Sequence, residues 1–106
     1  MKFEFRARGL KLSKALRDHV EARLHYALGR FGDRVRRVQV QFTDVNGPRG
    51  GEDIECRVLA RLAPRGEIVV QELRGNPFAA AALAAQRVGY SASRFFERQN
   101  DRRTKG

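Results

Sequence analysis

The chain has 106 residues, a formal net charge of +10 and a pI of about 11.2. That length accommodates one domain with a modest core. A single cysteine, Cys56, and two histidines exclude an intramolecular disulfide and an ordinary structural zinc site, so neither a metal nor another cofactor is expected.

No run approaches the roughly 20 apolar residues that span a bilayer. The alternating charges of the opening MKFEFRARG do not read as a signal peptide. The expected compartment is the cytoplasm. The positive charge is mainly arginine, since Lys2, Lys11, Lys14 and Lys105 are the only lysines. Arginine presents a rigid fork of donors suited to phosphate, and a strongly basic small domain points to a polyanionic partner.

Residues 2–8 alternate, with Phe3, Phe5 and Ala7 opposite Lys2, Glu4, Arg6 and Arg8. This predicts a half-buried strand that ends at Gly9. Ser13 is placed to cap a helix, with Leu12 as a staple-like residue before it. Leu16, Val20, Leu24, Ala27, Leu28 and Phe31 then recur at helical spacing, and Gly32–Asp33 ends the helix. Arg17, Arg23 and Arg30 lie on its outer face, interspersed with Asp18 and Glu21. His19 borders the apolar face and reads as a packed residue, whereas His25 reads as exposed.

Val38, Val40 and Phe42 alternate with Arg37, Gln39, Gln41 and Thr43, which predicts a second strand with one wet face. Residues 44–52, DVNGPRGGE, form a loop. Its glycine amides offer an anion nest with Arg49 at the tip, or simply a hairpin connection. A third strand carries Ile54, Cys56, Val58, Ala60 and Leu62 inward, so Cys56 reads as a core residue rather than a nucleophile. Pro64–Arg65–Gly66 is a turn, and Glu67–Leu73 is a fourth strand whose Ile68–Val69–Val70 run leaves its inward face undecided. The last three strands predict an antiparallel meander.

Asn76 is positioned to cap a second helix, with Pro77 at its first position. Its core face is expected to hold Phe78, Ala81, Ala82, Ala85, Val88, Ala92 and Phe95 or Phe96. Arg87, Arg94, Arg98 and Arg102, spaced seven, four and four apart, fall on one side of this helix. Tyr26 and Tyr90, if exposed, are available to stack on bases. After Asn100 the pattern gives way to a basic tail. The predicted fold class is α+β, in the order β-α-β-β-β-α, with a four-stranded sheet and both helices packed on one face. Residues 1–98 form the domain and 99–106 a flexible tail.

This order of elements resembles the ribosome hibernation factors, also known as sigma-54 modulation or ribosomal subunit interface proteins. The matching stretches are LSKALRDHVEARLHYALGRF at 12–31, VRRVQVQF at 35–42 and the NPF opening of the second helix at 76–78. The resemblance implies a non-catalytic protein that binds 16S rRNA of 30S or 70S ribosomes near the decoding region, with ribosomal proteins as further contacts. It would occlude mRNA and tRNA and silence idle ribosomes.

By position, the resemblance implies RNA contacts from Arg23, His25 and Arg30 on the first helix and from Arg87, Tyr90, Arg94 and Arg98 on the second. His25 stands where a lysine is usual and Tyr90 where an arginine is usual. Additional contacts are expected from Arg36, Arg37, Arg49 and Arg102. The chain departs from the family pattern in its glycine-rich 47–51 segment, in Gly89 in the middle of the second helix, and in that helix's lack of the dense lysine-arginine pattern of typical members. Two other readings stay open: a general structured-RNA-binding module, and a protein-interaction regulator that uses exposed Leu59 or Val69. Self-association through an open sheet edge is also left open.

Overall fold

The computed structural model describes residues 1–46 and 53–105, and the side chains of 1–46 and 53–100. Six main elements follow in the expected order: β1 (Lys2–Arg8), α1 (Lys14–Leu28), β2 (Val35–Asp44), β3 (Ile54–Leu62), β4 (Glu67–Arg74) and α2 (Pro77–Lys105). The sheet order is β1-β2-β3-β4. β1 runs parallel to β2, while β2–β3 and β3–β4 are antiparallel.

Alternation in the strands becomes a single apolar layer. Val38 pairs with Ala60, Val40 with Val58 and Phe42 with Cys56 across β2 and β3, and all six are buried. β4 settles its undecided face by register: Val58 opposes Val70, which is buried, and Leu59 opposes Val69, which is 42% exposed. The outer sheet face is solvated and cross-paired, with Glu4 bridging to Arg37 at 3.2 Å and Arg61 to Glu67 at 3.4 Å.

The helices cover the other face. The Ser13 hydroxyl accepts from the Leu16 amide at 3.1 Å, which satisfies one of the unpaired donors at the start of α1. Leu16, Val20, Leu24 and Leu28 form its buried stripe. Beyond Leu28 the chain tightens into 3-10 turns over Gly29–Arg34, with Gly32 at φ 57°, a left-handed conformation that suits glycine. The sequence pattern runs as one helix to Phe31. The structure separates it at Gly29, and Phe31 keeps its core position from the 3-10 segment.

α2 buries Ala80, Ala81, Ala84, Ala85, Val88, Ala92 and Phe96. Phe78, expected in the core, is 38% exposed. It sits in the first turn, where its ring meets His19 of α1 edge-on at 5.1 Å. His19 Nε2 also donates to the Phe78 carbonyl at 3.1 Å, so this histidine links the helices as a structural residue. The helix continues to Lys105, past the Asn100 at which the apolar pattern stops. Arg49 and the centre of its loop lie outside the described residues, as does the side chain of Arg102.

Candidate nucleic-acid interface

The helices touch where their side chains are smallest. A Cβ on Gly89 would lie 3.0 Å from Ala27 Cβ and 3.2 Å from the Ala27 carbonyl oxygen, so glycine is what permits the approach. On the solvent side of this contact the helix pair leaves a groove of about 610 Å³. Arg23, Tyr26 and Arg30 line one wall, Gln86 and Tyr90 the other, and Ala27, Ala82, Ala85 and Gly89 also contribute. Tyr26 is 91% exposed and Tyr90 64% exposed.

Arginines continue along the first wall. Arg30 also borders a neighbouring concavity with Arg34, Ser93, Glu97 and Asn100. Arg34 is shared in turn with a third concavity that holds Arg36. Arg23, Arg30, Arg34 and Arg36 therefore follow one another from α1 through the 3-10 turns to the start of β2. Arg34 is the best fixed: its guanidinium lies over the rings of Phe96 and Phe31 at 4.4 and 5.6 Å, and its Nε donates to the Phe31 carbonyl at 3.3 Å. Arg30 lies over Phe31 at 4.8 Å. Such stacking restrains the charge and leaves the edge of the fork free for an anion.

On α2, Arg94 Nη1 donates to the Tyr90 hydroxyl at 3.1 Å, and the guanidinium lies 5.8 Å from the ring centre. This hydrogen bond holds the Arg94 pKa above its ordinary value. The row of arginines is not presented as one set. Arg87 Nη1 donates to the Gln71 carbonyl at 2.9 Å and pairs with Glu72 at 3.5 Å, so the row begins against the free edge of β4. Arg98 is exposed farther along α2.

The remaining predicted contacts scatter. His25 is exposed but turned toward β1, its ring edge-on to Phe3 at 5.0 Å. Arg37 is on the outer sheet face with Glu4, away from the helical side. Thus the fold brings together Arg23, Arg30, Arg36, Tyr90 and Arg94, and sets His25, Arg37 and Arg87 apart. Arg34 was missed because GDRVRR reads as a turn running into a strand. Its signal was position alone, four residues after Arg30 and two before Arg36.

Residues 3–100 match the family described as Sigma 54 modulation protein / S30EA ribosomal protein. The chain belongs to this family. As a member of the S30EA family it is a ribosome-associated, RNA-binding protein of translation regulation, and not an enzyme. Among the described residues no cluster of His, Cys, Asp and Glu is placed to hold a metal ion, and no helix is long and apolar enough to cross a membrane.

Solved structures that share the fold include the two described next. The Protein Y N-terminal domain of Thermus thermophilus is 22% identical, with a TM-score of 0.75, and the match covers 90% of this chain and 99% of that one. A ribosomal subunit interface protein from Coxiella burnetii is 16% identical, with a TM-score of 0.77, over 92% and 99% of the two chains. A search of curated protein sequences gives no match.

Proposed function

We propose that this S30EA-family protein binds the small ribosomal subunit through its helical side, on 16S rRNA near the decoding region, and there excludes mRNA and tRNA. The observation that carries this reading is the inter-helix groove, whose walls hold Arg23, Arg30, Tyr26 and Tyr90. Its line of arginines continues through Arg34 to Arg36. Phosphate contacts of this kind position a protein on folded RNA without reading sequence, which suits occupation of a fixed place on a structured particle.

No bond is made or broken. The sheet is a rigid backing, and inhibition follows from bulk and charge in a space that translating ribosomes need empty. Co-sedimentation with purified 30S and 70S particles tests this. Saturable binding near one copy per particle, displaced by mRNA with tRNA, is expected. Saturable binding that mRNA and tRNA leave untouched would rule out occlusion near the decoding region. Equal affinity for any duplex RNA would favour a general RNA-binding module instead.

A further inference from the structure

α1 and α2 run side by side in the same direction. His19 meets Phe78, Ala27 faces Gly89 and Phe31 meets Phe96, so residue numbers rise together on the two helices. Each helical step rotates by about 100°. For two parallel helices in contact, the residue before the contact on one and the residue after it on the other therefore turn to the same side. From the Ala27–Gly89 contact, Leu28 and Val88 turn together into the core, both 0% exposed. Tyr26 and Tyr90 turn together to solvent and border the same groove.

Neither ring is used in the core. Tyr90 is steadied by Arg94, and Tyr26 has no hydrogen bond or ring contact to the other described residues. Small side chains between them leave room for a flat group. A groove of about 610 Å³ is in the size class of small-ligand sites, and cationic Arg23 and Arg30 stand beside it. Aromatic faces beside phosphate-binding cations suit an unstacked nucleotide, because paired bases inside a duplex present no free face.

We infer that Tyr26 and Tyr90 hold one unpaired RNA base, turned out of its stack into the groove, while Arg23 and Arg30 take the flanking phosphates. The inference rests on the ribosomal-RNA reading above. It makes the local target a bulged or looped nucleotide rather than a regular helix.

Two measurements test it together. The first is 30S co-sedimentation of Tyr26→Ala, Tyr90→Ala and the corresponding phenylalanine variants, each checked for folding by circular dichroism. The second is ultraviolet emission of the wild-type protein on adding single-stranded RNA or a duplex of equal length. The chain has two tyrosines and no tryptophan, so its emission reports on Tyr26 and Tyr90. Expected are a loss of roughly 10-fold in affinity for each alanine variant, retention with phenylalanine, and quenching by single strands well above that by duplex.

Alanine variants that pellet like the wild type would overturn the base site and leave the RNA contact standing. Loss of pelleting without RNA quenching would assign the tyrosines to a protein contact and also overturn it. Should the wild type itself fail to pellet, the ribosomal reading falls. The contrast in emission then decides the base site alone: preferential quenching by single strands supports it, and equal or absent quenching overturns it.

Discussion

Cys56 faces Phe42 in the β2–β3 register and is fully buried. Burial, with a smaller contribution from the charge of Glu55, pushes its thiol up to about 12. A thiol held neutral and shielded is a poor nucleophile, so Ellman's reagent is expected to react with it at the rate of unfolding; immediate reaction in native buffer would contradict the core placement. The raised value also sets a sign. Above the ordinary thiol pKa the unfolded chain loses a proton that the folded chain keeps, so stability falls as pH rises from about 9 toward about 12. Urea titrations of wild type and Cys56→Ala across that window should show a shallower decline for the variant. Arg87 teaches a different lesson. A cation that satisfies the Gln71 carbonyl and pairs with Glu72 is already occupied, whatever its place in a helical row.

Among the elements, the parallel pair α1 and α2 depends on Gly89. Any larger side chain there must displace the Ala27 backbone oxygen or its Cβ. Gly89→Leu is expected to force the helices apart, costing about 1–3 kcal/mol in urea unfolding and weakening 30S binding. An unchanged midpoint would mean that the helices are not in tight contact. The edge of β4 is modified as well, since Arg87 and Arg74 occupy the Gln71 and Leu73 carbonyls. Such side chains hinder the addition of another strand.

These elements were readable in the sequence because each has one period. Val38, Val40 and Phe42 repeat every second residue, and Leu16, Val20 and Leu24 every fourth. Ser13 marks the start of its helix, whereas the end falls at Gly29, ahead of the Gly32 that the pattern indicates. The site was less readable because it lies between elements. Tyr26 and Tyr90 become neighbours only through the relative direction of two helices, which neither helix encodes alone. Within α2, the row of Arg87, Arg94 and Arg98 was visible, but which side of it faced β4 was not. Phe78 was misplaced because periodicity places a residue on a face without saying where the partner surface ends.

For the whole molecule, the net charge of +10 is divided between two faces of unlike character. On the outer sheet face Arg37 and Arg61 are neutralised by Glu4 and Glu67. On the helical side Arg23, Arg30, Arg34 and Arg36 follow one groove system. RNA bound through the second face, as proposed, would release counterions, so affinity is expected to fall steeply with salt. The direct measurement is salt-titrated 30S co-sedimentation of two variants with the same change in net charge. One is Arg23→Glu with Arg30→Glu on the groove wall. The other is Arg57→Glu with Arg61→Glu on the outer sheet face. The groove variant, though folded, is expected to lose saturable binding, while the sheet variant stays close to wild type. Equal loss in both would mean that total charge governs binding, and would rule out the groove as the RNA-binding face.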